Sequence, residues 1–278
     1  MNKPLQKIIQ NIQLDGPENL FILTDFDRTI TYGEQNGMRT PTLISLLRDG
    51  HHMRADYASR ARALFDIYHP IEIDHIKTIE EKKPAMAEWW VKHFNLMIEC
   101  WLKREDIRDV IEKSHLKLRK FVTQTLRLLD QKNIPVIIIS AGAIGDAIPI
   151  FLEKNSCNFQ NIFSVCNQFI WDNFWNAQAI RKPIIHVFNK DETIIEEIPS
   201  LRGKITKRKN VIVIGDSLCD VGMVSWFDHK NLLKIGFLNP GSEGMKTEYE
   251  DAYDIIIEND EDFEKIYTLL QEILITEK

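Results

Sequence analysis

The sequence lacks the features that mark several classes of protein. It has four cysteines in 278 residues. No two of them form a C-x-x-C pair, and no His/Cys cluster has the spacing of a zinc site, so neither a zinc domain nor a disulfide scaffold is expected. The cysteines are Cys100, Cys157, Cys166 and Cys219. This sparse usage predicts reduced thiols and a cytoplasmic location.

Long apolar runs and excess positive charge are also missing. The longest apolar runs, such as 134–139, are too short to span a bilayer. Residues 1–16 lack the apolar core of a secretion signal. The formal net charge of −6 disfavours a nucleic-acid backbone as the main partner, because phosphates would repel it. We therefore expect a monomer with a small-molecule substrate and no membrane or nucleic-acid partner.

The stretch 21–31, FILTDFDRTIT, carries the first chemical signal. An apolar run ends in Asp25 and Asp27, with Thr29 two residues later. Alternate residues of an extended segment share one face, so these side chains converge at the carboxyl end of a buried strand, where open α/β sheets bind ligands. Such close like charges favour a bound cation, with Asp25 as metal ligand and nucleophile and Asp27 as general acid/base. An acidic turn after a strand is the alternative interpretation.

Alternating apolar strands and helices predict an α/β fold with a doubly wound parallel sheet. A helical stretch of about eighty-five residues follows the first strand and is too long for one crossover, so we expect a separate helical module. Pro70 and Pro84 are expected to break this stretch, with a loop at 69–78 that contains an extended piece, IEID. The predicted strands are 20–25, 134–140, 162–170, 211–216, 233–237 and 254–258, and 171–179 is a predicted hairpin tip.

Three further features match the first motif. Ser140 ends the second core strand before a predicted helix, where a hydroxyl and the following amides can hold a phosphate oxygen, unless it is a plain N-cap. Lys190 can neutralise a phosphate, although a lysine in a polar loop is commonly a solvated surface charge. Asp216 and Asp220, in GDSLCD after a buried strand, suit a magnesium site or a capping turn.

The ordered set D-x-D-x-T, strand-end Ser, Lys and G-D-S-x-x-D resembles the haloacid dehalogenase superfamily of aspartate-nucleophile phosphatases. Longer blocks are similar to the cytosolic pyrimidine 5'-nucleotidase (nucleotidase III) family. They are IEID, TIEEKKPAMAEWW, IPVIIISAGAIGD, IIHVFNK, VIVIGDSLCD and LKIGFLN. The resemblance extends from residue 21 to residue 273 and so includes nearly the whole chain.

This resemblance implies a Rossmann-like core (1–40 and 125–278) and an inserted helical cap (41–124). It implies Mg²⁺-dependent hydrolysis of nucleoside 5'-monophosphates, of pyrimidines or 7-methylguanosine, through an aspartyl-phosphate. The resemblance implies Asp25 as the nucleophile and Asp27 as the acid/base. It implies Mg²⁺ ligands from the Asp25 and Asp216 carboxylates and the Asp27 carbonyl, with Asp220 beside the metal's waters. The implied phosphate-binding residues are Thr29, Ser140, Ala141 and Lys190, and the implied residues around the base are Glu72, Trp90 and His93.

Three departures from the family pattern bear on base preference and leave the chemistry unchanged. Ile44 replaces a histidine of the animal members, His93 replaces a serine, and AGAIGD has one inserted residue. Trp89, adjacent to Trp90, is predicted to pack in the core, because neighbours on a helix point about 100° apart. Two alternative functions stay open. One is a phosphatase for another small phosphomonoester such as phosphoserine, and the other is a non-catalytic binding protein on the same fold.

Overall fold

A parallel sheet forms the centre of the molecule in the computed structural model, which describes residues 3–74, 76–190, 199–224 and 228–275. In chain order the strands of this part of the chain are β1 (Leu20–Thr24), β2 (Glu34–Gln35), β3 (Met38–Arg39), β4 (Val136–Ile144), β5 (Ile162–Asn167), β6 (Phe169–Trp171), β7 (Ala177–Ile180), β8 (Asn210–Gly215), β9 (Asn231–Leu238) and β10 (Ile255–Glu258). Six of them pair in the order β10-β9-β8-β1-β4-β5, with parallel neighbours throughout. The predicted doubly wound sheet is therefore confirmed.

Helices cover both faces of this sheet, which explains why its central strands are apolar throughout. All residues of β1 and β8 are buried. Alternate residues of β1 join opposite cores: Leu20 and Ile22 pack in one cluster, and Phe21 and Leu23 in the other. The helices are α1 (Lys3–Asp15), α2 (Leu43–Asp49), α3 (Tyr57–Glu72), α4 (Ile79–Glu99), α5 (Arg104–Lys113), α6 (Val122–Gln131), α7 (Ala147–Lys154), α8 (Pro199–Ile205), α9 (Lys246–Ala252) and α10 (Glu264–Leu274).

The long insertion after β1 is helical, but its prolines do not break it as expected. Pro70 lies inside α3 and Pro84 inside α4. The IEID segment at 71–74 is not extended either, because its first two residues are the last two of α3 and Ile73 caps the helix. A capping box explains where α4 begins. Thr78 accepts from the amide of Glu81 at 3.3 Å, and the Glu81 carboxylate accepts from the amide of Thr78 at 2.8 Å, which starts the helix before Pro84.

Strand β4 is longer than predicted and changes the setting of Ser140. The strand continues to Ile144, and the next helix begins only at Ala147. A register shift between Ser140 and Ile144 accommodates the extra length against β5. Ser140 is therefore an interior residue of a strand rather than the residue before a helix. The predicted strand 162–170 also divides, because β5 belongs to the large sheet and β6 pairs with β7 in the expected hairpin.

The described helices do not include one that is both long and apolar enough to cross a membrane. Helix α4 is the longest of them, with 21 residues. Its sequence mixes acidic, basic and aromatic side chains, and its buried residues pack against α3 and the hairpin formed by β6 and β7.

Replacing Pro84 by alanine should stabilise the protein. Pro84 is exposed in the interior of α4, where it lacks the N–H that would pair with the carbonyl of Glu80. Pro84→Ala restores this bond and should raise the free energy of unfolding by about 2 kcal/mol, measured by urea denaturation. Ala87→Pro, at another exposed position of the same helix, is the opposite change and should lower it by about 3 kcal/mol or more. A lower stability of Pro84→Ala would contradict this interpretation.

Candidate active site

The candidate site lies where the strand order of the sheet reverses. Strands β1 and β8 are neighbours, and Asp25 and Asp216 follow them directly. The backbone amide of Asp25 donates to the carbonyl of Ile214 at 3.0 Å. The backbone at Asp25 is therefore still hydrogen-bonded to β8, although β1 ends one residue earlier. Ligands of open α/β sheets bind at such a reversal, outside the carboxyl ends of the strands.

Three carboxylates converge at this edge together with one lysine. Asp25, Asp216 and Asp220 each offer an oxygen within 4.8 Å of the others. The Nζ of Lys190 donates to Asp25 and, at 2.9 Å, to Asp220. The hydroxyl of Thr29 donates to the other oxygen of Asp25 at 3.2 Å. Residues from three separate parts of the sequence therefore form one hydrogen-bonded cluster.

Asp220 holds the turn after β8 and orients Lys190. One oxygen of this fully buried carboxylate accepts from the amides of Asp216 at 3.2 Å and Ser217 at 3.0 Å, and the other accepts from Lys190. Gly215 is required for this close packing, because a Cβ there would lie 2.4 Å from the Cβ of Asp220. Both oxygens of Asp220 are thus engaged by protein donors.

Asp27 is held by a different set of donors. Its Oδ1 accepts from the amide of Leu43, the first residue of α2, at 3.1 Å, and its Oδ2 accepts from the hydroxyl of Ser140 at 3.4 Å. The backbone of Gly142 packs directly against it, since a Cβ there would lie 2.7 Å from Oδ2. Ala141 lies between Ser140 and Gly142, and its carbonyl accepts from the side-chain Nδ2 of Asn167 at 3.3 Å.

Burial shifts the proton equilibria of the cluster. It raises the pKa of Asp27 to about 7, and the nearby charge of Asp25 adds to this shift. Burial likewise raises the pKa of Asp25, against the opposing effect of Lys190, and the pKa of Asp216 to about 6. For Lys190, burial opposes protonation, but the carboxylates of Asp220 and Asp25 outweigh it and raise its pKa.

The charge balance of this cluster fits a divalent cation. One ammonium group faces the carboxylates of Asp25, Asp216 and Asp220, so negative charge is in excess in a buried place. Oxygen ligands of this kind suit Mg²⁺, which binds through one or two carboxylates plus substrate phosphate and water. The residues present are therefore compatible with metal binding.

Glu72 ends α3 close enough to interact electrostatically with the cluster. Burial raises its pKa, while the charges of Arg39, Arg28 and Lys190 act in the opposite direction. The carbonyl of Glu72 accepts from the buried ammonium of Lys82 at 3.0 Å. The inserted helices therefore bring an acidic side chain toward the metal-compatible cluster.

Trp90 and His93 belong to an aromatic group along α4 rather than to the carboxylate network. Trp90 stacks on Phe94 and on His93, with ring centroids 5.3 and 6.1 Å apart. His93 is buried, and its Nε2 lies 2.9 Å from the hydroxyl of Tyr57. Trp89 is buried in a separate cluster, while Trp90 is half-buried at the edge of the main core.

Sequence reasoning missed the groups that hold Asp216 in place. The hydroxyl of Tyr249 donates to its backbone carbonyl, and the amide of Asn239 donates to its carboxylate at 3.3 Å. Asn239 in turn contacts the buried side chain of Arg119. One sequence signal existed, because Asn239 is the first polar residue after an apolar strand at the edge that binds ligands. Arg119, in a stretch between two helices, had no comparable signal.

Comparisons with known proteins agree on one family. The family model described as "Pyrimidine 5'-nucleotidase (UMPH-1)" matches residues 28–274. The "7-methylguanosine phosphate-specific 5'-nucleotidase" of Homo sapiens is 33% identical over 274 residues, covering 97% of this chain and 90% of the relative. A crystal structure of cytosolic 5'-nucleotidase IIIB bound to cytidine superposes with a TM-score of 0.89 at 28% identity, covering 97% of this chain and 91% of that one.

A more distant likeness concerns the fold alone. A phosphoserine phosphatase, captured as an analogue of its phospho-aspartyl intermediate, superposes with a TM-score of 0.53 at 19% identity, covering 90% of this chain and 97% of the other. Together with the nucleotidase structure, it confirms the haloacid dehalogenase type of fold that the sequence predicted.

The buried histidine of α4 should make stability depend on pH. Burial lowers the pKa of His93 to about 4, whereas an unfolded histidine titrates near 6.5. The unfolded chain therefore binds an extra proton between these values, and the free energy of unfolding should fall by about 3 kcal/mol as the pH drops from 6.5 to 4. His93→Gln should remove this component, measured as the difference in urea stability between pH 7 and pH 4.

A control separates this effect from general acid sensitivity. His51→Gln changes an exposed histidine and should leave the pH dependence as in the wild type. Burial also lowers the pKa of His186 to about 4. Its contribution to the pH dependence is the same in the wild type and both variants and therefore cancels in the comparison. Equal pH dependence of the wild type and His93→Gln would show that His93 is not held neutral.

Proposed function

Because this chain belongs to the pyrimidine 5'-nucleotidase (UMPH-1) family and is a 5'-nucleotidase, we propose that it hydrolyses nucleoside 5'-monophosphates with Mg²⁺ and prefers 7-methylguanosine 5'-monophosphate. The observation that carries the chemistry is the buried cluster of Asp25, Asp216, Asp220 and Lys190, with Asp27 two residues after the first. These residues supply a nucleophile, an acid and a cation site at one edge of the sheet.

The substrate phosphate binds in this proposal between Lys190 and residues 140–141 in the interior of β4. The ammonium of Lys190 neutralises the anionic oxygens, and Thr29, Ser140 and Ala141 offer hydrogen bonds. The carboxylates of Asp25 and Asp216 and the carbonyl of Asp27 would hold Mg²⁺, which would supply the positive charge that lets an anionic phosphate approach an anionic carboxylate. Asp220 keeps Lys190 and the turn after β8 in place.

Asp25 and Asp27 divide the reaction between them. A carboxylate oxygen of Asp25 forms a bond to phosphorus as the bond from phosphorus to the 5'-oxygen breaks, giving an aspartyl-phosphate. Asp27 donates its proton to the leaving 5'-oxygen and then accepts a proton from the water that attacks the phosphorus and frees Asp25. The raised pKa of Asp27, about 7, suits it to exchange a proton near neutral pH.

The base is read in this proposal by the inserted helices. Trp90 stacks on it, Glu72 accepts hydrogen bonds from its N–H groups, and His93 lines the same side. An indole face attracts a cationic ring, and 7-methylguanine is such a ring. The 7-methylguanosine preference of the human relative, at 33% identity, supports this choice over the pyrimidines, which stay secondary substrates. Phosphoserine is not favoured, because the likeness to phosphoserine phosphatase is one of fold.

The same proposal includes the division of the chain into two domains and its location in the cell. Residues 1–40 and 125–278 form the catalytic core and 41–124 the cap, although 1–2, 75, 191–198, 225–227 and 276–278 lie outside the described residues. A monomer in the cytoplasm is the expected state. The cytosolic name of the similar solved nucleotidase supports the location.

Asp25→Asn should abolish turnover while the protein stays folded, because an amide is a poor nucleophile and a weak Mg²⁺ ligand. Phosphate release from 7-methylguanosine 5'-monophosphate, with and without Mg²⁺, measures this, and circular dichroism monitors folding. Asp15→Asn is the control: it removes the partner of Lys230 in an ion pair of 2.6 Å next to the start of β9, away from the cluster. A wild-type kcat in Asp25→Asn would refute the covalent mechanism.

Trp90→Ala should separate base recognition from phosphate chemistry. Stacking of a base on an aromatic side chain is worth about 1–3 kcal/mol, so kcat/KM for 7-methylguanosine 5'-monophosphate should fall by about 5–150-fold. Hydrolysis of a small phosphomonoester without a base should hardly change. Trp101→Ala, at an exposed tryptophan just after α4, should affect neither substrate. Equal losses on both substrates in Trp90→Ala would mean that Trp90 supports the helices instead.

A further inference from the structure

Arg119 is a buried arginine that holds the backbone immediately after the two aspartates of the first motif. Its Nε donates to the carbonyl of Thr29 at 2.9 Å, and its Nη2 donates to the carbonyl of Arg28 at 2.8 Å. Arg28 has a φ of +62°, a left-handed conformation that costs energy in a side-chain-bearing residue. The backbone amide of Arg119 also donates to the carbonyl of Ile30 at 2.9 Å. Arg119 therefore holds three consecutive carbonyls of the loop after β1.

Four hydrogen bonds and one ion pair engage all three nitrogens of the guanidinium. Its acceptors are the carbonyls of Thr29, Arg28 and Glu261, Oδ1 of Asn239 and Oδ1 of Asp260. The ion pair with Asp260 measures 2.7 Å, and the arginine side chain has no exposed surface. The carboxylate of Asp260 also accepts from the amides of Gly33 and Glu34 at 2.7 and 3.0 Å. These contacts hold the Arg119 side chain in one conformation, so a group that hydrogen-bonds to it is also held in place.

Asn239, the residue directly after β9, connects Asp216 with Arg119 through hydrogen bonds. Its Oδ1 accepts from Nη2 of Arg119 at 2.7 Å, and its Nδ2 donates to the carbonyl of Arg28 at 3.0 Å and to Oδ2 of Asp216 at 3.3 Å. Asn239 is 6% exposed, so these bonds are shielded from water, where a bond to a carboxylate is stronger. One amide therefore connects the carboxylate after β8 with the loop after β1.

We propose that Asn239, held by Arg119, is a positioning residue that sets the orientation of the Asp216 carboxylate and thereby the affinity of the site for Mg²⁺. This inference rests on the Mg²⁺ site of the proposed function. A carboxylate that binds a metal through one oxygen needs its plane fixed, and hydrogen bonds from neighbouring side chains do this. The Asn239 amide is aimed at the carboxylate of Asp216 from an anchor that cannot rotate, because both its oxygen and its nitrogen are engaged.

The test compares two asparagines of the same strand region. Asn239 lies just after the carboxyl end of β9, and Asn231 begins the strand; both are 6% exposed. Asn231 donates to Oδ1 of Asn210 at 2.8 Å, at the amino ends of β8 and β9 and therefore at the other end of the strands from Asp216. Calorimetric titration should show that Asn239→Ala raises the Kd for Mg²⁺ by about 10–100-fold, whereas Asn231→Ala leaves it unchanged. Thermal unfolding without Mg²⁺ should show a lower Tm for both variants.

The outcomes separate this inference from the function on which it rests. An unchanged Kd in Asn239→Ala, or equal losses in both variants, overturns the positioning role, while Mg²⁺-dependent phosphate release by the wild type still supports the proposed function. A wild-type protein that binds no Mg²⁺ overturns both. Asn239 is the residue to change because Arg119 is too deeply buried for its loss to be read as a local effect.

Discussion

The burial of several carboxylates around one ammonium group is the constraint on which the rest of the structure depends. Like charges taken out of water repel each other and lose hydration, so each must be met by donors in a fixed place. Lys190 meets Asp25 and Asp220, the first amide of α2 meets Asp27, and the turn after β8 donates to Asp220. The close packing that this needs leaves room only for glycine at two positions, 142 and 215.

The sheet topology is what allows such a cluster to form. Because the strand order reverses between β1 and β8, two loops leave adjacent strands in a place that no crossover helix covers. The insertion after β1 then returns over the same edge. Lys82 of α4 donates to the last residue of α3 and lies 5.5 Å from the ring centroid of Phe188, two residues before Lys190. Base recognition and phosphate binding, in the proposed function, thus share one connected set of contacts.

Arg119 and Asn239 hold the loops that carry the carboxylates. Arg119 fixes the loop after β1 through main-chain carbonyls, and Asn239 extends that support to Asp216. Apolar side chains in place of Arg119 and Asp260 could give a similar free energy of unfolding, because a buried ion pair rarely adds net stability over well-packed apolar groups. What they could not supply is the direction of a hydrogen bond. We therefore see the network as a means of orientation more than a source of stability.

Local patterns in the sequence determined the parallel sheet and the place of the first motif, because burial on both faces requires unbroken apolar strands. They did not determine how the motif is arranged: β1 ends at Thr24 and residues 27–30 form a turn, so Thr29 reaches Asp25 through this turn and not through strand alternation. Local patterns misjudged Pro70 and Pro84, which both lie inside helices at exposed positions. For Pro84, the capping box of Thr78 and Glu81 fixes the start of α4 before the proline. Only the tertiary structure decided how Asp216 is held: Arg119 and Asn239 are 120 residues apart. A side chain with no periodicity around it gives no local sign of a partner that only folding brings within reach.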